Sequence, residues 1–123
     1  MLEVYSTDVD VLANTAIPFN NVSLMKGCTA ELSGTSTIVL NRCGVYMVSV
    51  DASASVETTI QLYKDGVAQP EAQSTGSTVS FQTLVQVPGN NTNCPCSSGT
   101  SLQIFSDTAA TFTNVNVVVT KII

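Results

Sequence analysis

Histidine is absent from the 123 residues. Its absence removes the commonest general base, the usual relay of serine hydrolases and the commonest metal ligand together. Charge is scarce too: four Lys and Arg stand against nine Asp and Glu, a net charge of −5. A nucleic-acid or anionic-membrane partner held by electrostatics asks for clustered basic residues, whereas Lys26, Arg42, Lys64 and Lys121 are scattered. No apolar run approaches the roughly 18 residues of a membrane span, and MLEVYSTDVDVL at the N-terminus has no basic n-region. These absences predict a soluble chain, made in the cytoplasm, that binds neither nucleic acid nor membrane. The seven glycines are isolated, so no phosphate cradle or dinucleotide fingerprint exists and no cofactor is expected.

Few groups are left to carry chemistry. Asp8 and Asp10 lie two apart, the spacing of an acid–base pair or of two calcium ligands on an extended segment. Calcium asks for six or more oxygens and no further cluster accompanies them, so a solvated N-terminal edge is the plainer reading. The cysteines are Cys28, Cys43, Cys94 and Cys96. Four thiolates are enough for zinc, but Cys94-Pro95-Cys96 has one intervening residue where the common knuckles have two or more. A reducing cytoplasm favours small buried or loop thiols, a disulfide among some of the four stays open as the alternative, and ring geometry disfavours a bond between Cys94 and Cys96. Those two are expected in an exposed, metal-free loop. The residue inventory therefore predicts a protein that is not an enzyme.

What the chain has in abundance is β-branched residues: seventeen Val and sixteen Thr, over a quarter of the total. These pack well on pleated surfaces and lose rotamer freedom in helices, which predicts an all-β domain spanning residues 1–123, with residues 1–8 a candidate extended arm. The organising stretch is Gly44–Val50, GVYMVSV, because both of its alternating faces are apolar. Tyr46, Val48 and Val50 point one way, with Val45, Met47 and Ser49 on the other, so both sides need a cover. Ala52–Ser55 then releases the strand. Thr59–Lys64 alternates with Ile60 and Leu62 inward and ends at Asp65-Gly66, a strong hairpin-turn dipeptide. Gln69–Thr78 reads as a polar loop, Ser80–Val87 as a strand, and Asn90–Gly99 as a second displayed loop. Leu102 and Ile104 face inward on the next strand. Thr113–Ile122 closes the chain, with Val115, Val117 and Val119 inward and Asn116 and Val118 outward. The candidate core is therefore Tyr46, Val48, Val50, Ile60, Leu62, Leu102, Ile104, Val115, Val117 and Val119. The candidate self-association face is Val45, Met47, Ser49, Asn116 and Val118, with Asn116 expected near a symmetry axis against its own copies.

Several short segments carry a family resemblance. They are Phe19-Asn20, Leu40-Asn41-Arg42-Cys43-Gly44-Val45-Tyr46 at the entry to the central strand, Ile60-Gln61-Leu62-Tyr63-Lys64-Asp65-Gly66, and the closing apolar strand. On these the chain resembles the tumour necrosis factor and complement globular-head superfamily, across most of residues 9 to 122. The resemblance implies a two-sheet antiparallel jelly-roll sandwich assembling as a homotrimer. In character it looks most similar to small Ser/Thr/Asn-rich phage virion proteins and to heads of bacterial collagen-like proteins. That implies a structural virion protein, a capsid decoration or head-fibre-type trimer made in the host cytoplasm and contacting other virion or capsid proteins. The alternative it implies is a trimeric head that recognises a carbohydrate or protein on a bacterial cell or spore surface.

Overall fold

The computed structural model describes residues 1–27, 29–88 and 100–123. Alternating burial follows the strands closely, as in β8, where every second residue from Thr100 to Ser106 is buried. The strands are β1 (Leu2–Val11), β2 (Thr15–Ala16), β3 (Asn21–Met25), β4 (Ala30–Ser33), β5 (Thr37–Leu40), β6 (Gly44–Lys64), β7 (Val67–Val87), β8 (Thr100–Ser106) and β9 (Ala110–Lys121). The described residues contain no helix, and every strand pairing is antiparallel.

Two layers arise because β6 changes partners along its length. Its first half, Tyr46–Ala54, pairs with β9, and its second half, Ile60–Lys64, pairs with β8. β7 runs beside it throughout. The first layer is thus β3-β1-β9-β6-β7 and the second β4-β5-β8-β6-β7, with β2 paired to β8. The register slips between Ser53 and Thr58, inside the small-residue run, so Ala52–Ser55 bends the strand across the sandwich instead of ending it. A buried hydroxyl pair, Thr58 and Ser106 at 2.8 Å, ties the far side of that bend to β8.

Between the layers lies an apolar core. Tyr46, Val48 and Val50 of β6 and Val115, Val117 and Val119 of β9 are completely buried, and Ile60, Leu62, Leu102 and Ile104 of the second layer are nearly so. The Tyr46 hydroxyl, which would be costly to bury unpaired, donates to the Arg42 carbonyl at 2.7 Å. Asp65 and Gly66, with φ of +51° and +81°, join β6 to β7 as a two-residue turn with both central residues left-handed.

Three sequence expectations are corrected here. Residues 1–8 are no free arm, since β1 is sandwiched between β3 and β9 and Leu2 and Val4 are fully buried. Gln69–Thr78 is no loop but part of β7, polar because it is an edge strand with Ala72 its one fully buried side chain. Cys43 is disulfide-bonded, the alternative that the sequence left open behind the favoured thiol. The expectations for Cys28, Cys94, Cys96 and the Asn90–Gly99 loop lie outside the described residues.

Candidate functional site

The solvent-facing side of the first layer assembles the outward residues of four strands in register. Met47 stands directly opposite Leu84 of β7 on one side and Thr120 of β9 on the other. One row along, Ser49 faces Gln82 and Val118, and Val118 in turn faces Glu3 of β1. The next row runs Tyr5, Asn116, Asp51 and Ser80. The cross-strand register therefore brings all five residues of the candidate self-association face onto one surface, with Val45 beside Gln86 at its upper end.

This face is apolar at one end and polar at the other. Met47 is 39% exposed and Leu84 59%, an arrangement that leaves large side chains in water with no cover from the other described residues. Val45 and Val118 are half-buried around them. The surface is dimpled, with a depression of about 310 Å³ lined by Met47, Gln82, Thr83 and Leu84 and another of about 340 Å³ along Ser49, Asp51, Ser80, Phe81 and Gln82. Leu84 escaped the sequence reading as an assembly residue, although it is the lone apolar side chain on the outward Gln82, Leu84, Gln86 face.

At the polar end, Glu3 holds its neighbours within the chain. One carboxylate oxygen accepts from the Ser23 hydroxyl at 2.7 Å and the other from the Asn116 amide at 3.0 Å. These bonds favour the charged form, Ser23 more than Asn116, and lower the Glu3 pKa from its ordinary value. Asn116, expected against its own symmetry copies, thus has a partner in its own chain.

Asp8 and Asp10 do not form a joint site. Asp10 accepts a hydrogen bond from the Thr111 hydroxyl at 2.6 Å, and Asp8 adopts φ of +52°, where burial along β1 changes phase. Among the described residues, no three His, Cys, Asp or Glu side chains converge as metal ligands would.

No protein-family model and no curated protein sequence matches the chain. Solved structures do. The globular domain of zebrafish complement 1qA protein is similar with a TM-score of 0.76 and 12% identity, over 99% of this chain and 96% of that one. Murine APRIL is similar with a TM-score of 0.68 and 11% identity, over 98% of each chain. Rabbit GITRL is similar at 0.64 and 7%, over 100% and 95%. At such identities the likeness is one of fold, and the fold is the jelly roll of the tumour necrosis factor and complement globular heads.

Proposed function

We propose that the protein is a non-enzymatic head that works as a homotrimer, assembled through the outer face of the first layer. The observation that carries this reading is the direct pairing of Met47 with Leu84 on an outward surface, flanked by Val45 and Val118. Removing such side chains from water contributes about 25 cal/mol per Å² of apolar area. Four of them per chain offset a substantial part of the cost of association. A three-fold arrangement is the one that the sequence resemblance implies.

In its finer form the reading is structural: the trimer decorates a phage particle and reaches it after synthesis in the host cytoplasm. Support comes from the resemblance to small virion proteins and from an exposed surface rich in Ser, Thr, Asn and Gln and poor in charge. A second reading, a head that recognises a carbohydrate or protein on a bacterial cell or spore surface, is favoured by a cleft on the opposite side of the sandwich. Light scattering tests the trimer, with a mass three times 12.9 kDa expected for wild type and a smaller species for Met47→Asp. A 12.9 kDa wild type at micromolar concentration would overturn it. Copy number in purified particles then separates the two finer readings: a decoration protein is present in high, fixed stoichiometry, and a recognition head instead binds bacterial cells.

A further inference from the structure

The solvent side of the second layer carries a cleft of about 260 Å³ that assembly through the first layer does not involve. Cross-strand register builds it. Phe105 of β8, Gln61 of β6 and Gln73 of β7 form one row. Thr59 and Thr75 form the next, their hydroxyls 2.7 Å apart. Asp107 closes the end of that second row, where its main-chain NH donates to the Thr59 carbonyl at 3.1 Å. Tyr63 packs on Phe105 with ring centroids 4.2 Å apart and planes tilted by 32°. An apolar aromatic surface therefore lies beside a line of neutral amides and hydroxyls with one carboxylate.

The polar groups here keep spare capacity. The Gln61 amide NH₂ donates to the Gln69 carbonyl and that of Gln73 to the Pro70 carbonyl, which holds both side chains in place and leaves both Oε1 atoms without a hydrogen bond among the described residues. One oxygen of Asp107 accepts from the Thr59 main-chain NH, the Thr58 hydroxyl and the Thr108 hydroxyl. Its other oxygen, and the Tyr63 hydroxyl, make no hydrogen bond among the described residues. These fixed acceptors, one hydroxyl and an aromatic face match a molecule that carries several adjacent hydroxyl groups on an otherwise apolar ring.

We propose that this cleft binds a neutral saccharide, one sugar ring lying against Tyr63 and Phe105 with its hydroxyl groups donating to Gln61, Gln73 and Asp107. The volume is just under the roughly 300–1,000 Å³ of drug-sized pockets, the scale of a single ring. Acidic sugars are disfavoured by the Asp107 carboxylate, by the lack of any Lys or Arg in the lining and by the net charge of −5. One shallow ring site gives weak binding, in the millimolar range. The proposal deepens the recognition reading and needs the fold of one chain, not the trimer.

The test uses the intact protein, ¹⁵N-labelled and titrated with glucose, galactose, N-acetylglucosamine and rhamnose, with sialic acid as the acidic comparison. Saturable shifts confined to amides of residues 59–63, 73–75 and 103–107 are expected with at least one neutral sugar, and weaker ones with sialic acid. Gln73→Ala, an exposed substitution, and Tyr63→Ala should each weaken binding about tenfold, while Tyr63→Phe isolates the hydroxyl if the alanine variant fails to fold. The proposal is overturned if none of the four neutral sugars shifts these amides at millimolar concentration, or if Gln73→Ala and Tyr63→Phe both bind as wild type does. A trimer that ignores sugars removes the cleft and leaves the assembly reading; a monomer that binds them does the reverse.

Discussion

Gly44 and Gly66 lack a side chain for different reasons. Gly44 enters β6 with φ of +144°, and a Cβ there would run into the Ile123 main-chain oxygen and lie 2.7 Å from the Lys121 side chain. Gly66 has φ of +81° with nothing within 4 Å of the same position. Gly44→Ala should thus cost clearly more than about 1 kcal/mol, since backbone and contact both oppose it. Gly66→Val should cost about 1–2 kcal/mol from backbone conformation alone. Thermal unfolding of both variants checks the order. Titration is the other residue-scale expectation. Glu3 and Asp107 are lowered from 4.5 and 3.8 by accepted hydrogen bonds, Ser23 leading for Glu3 and the Thr59 main-chain NH for Asp107. A depressed folded value means stability that is fully present above the ordinary pKa and lost as pH falls through the folded one. The stability gap between wild type and the Glu3→Gln, Asp107→Asn double variant should therefore narrow from about pH 6 to about pH 3. A gap of constant size across that range would count against these hydrogen bonds.

Among the elements, β1 is tied to the Pro18–Asn20 segment before β3 by one buried hydroxyl, in addition to its ladder with β3. Ser6 is fully buried, donates to the Pro18 carbonyl at 2.7 Å and accepts from the Asn20 NH at 2.8 Å. Ser6→Ala leaves both main-chain groups without that partner and should cost about 1–3 kcal/mol in denaturant unfolding. Ser6→Cys, which keeps a weak donor, should cost less. β1 also shows where sequence patterning stops being readable. Burial falls on Leu2, Val4 and Ser6, then on Val11, so the phase inverts at the left-handed Asp8. Strict alternation does not run across that inversion, which hides the strand that residues 1–8 belong to. β9 inverts likewise between Phe112 and Val115, yet its run of valines still announces a strand. Clean period-two segments such as Thr59–Lys64 were legible because both inward residues are large and apolar. The Gln69–Thr78 half of β7 was not, because an edge strand with few inward side chains has a loop's composition. The first-layer face was half legible from the two-sided character of Gly44–Val50. The cleft was invisible, because its lining comes from residues 14, 59–63, 73 and 105–107, which only cross-strand register and the Asn14 NH bond to the Ser106 carbonyl unite.

At the scale of the whole molecule, the two proposed surfaces lie on opposite faces of the sandwich. Met47 and Leu84 project from the first layer, and the Tyr63–Phe105 cleft opens on the second, with the full thickness of the core between them. In the proposed trimer, closed through the first-layer faces, the expected place of the three clefts is on faces that the assembly surface does not include. Three weak sites on one rigid body bind a surface dense in sugar far more tightly than one does, because each later contact forms at high effective concentration. The expected outcome separates assembly from recognition in a single comparison. In solution, wild type and Met47→Asp should bind a free monosaccharide with equal affinity per site, since the substitution is remote from the cleft. On a bead densely coated with the same sugar, wild type should be retained about 100-fold more strongly, and the difference should shrink as the coating is diluted beyond the reach of two sites. Equal retention on the dense coating by a wild type of trimeric mass would show that the clefts do not act together. Unequal affinity in solution would place Met47 in the binding of sugar instead of in assembly.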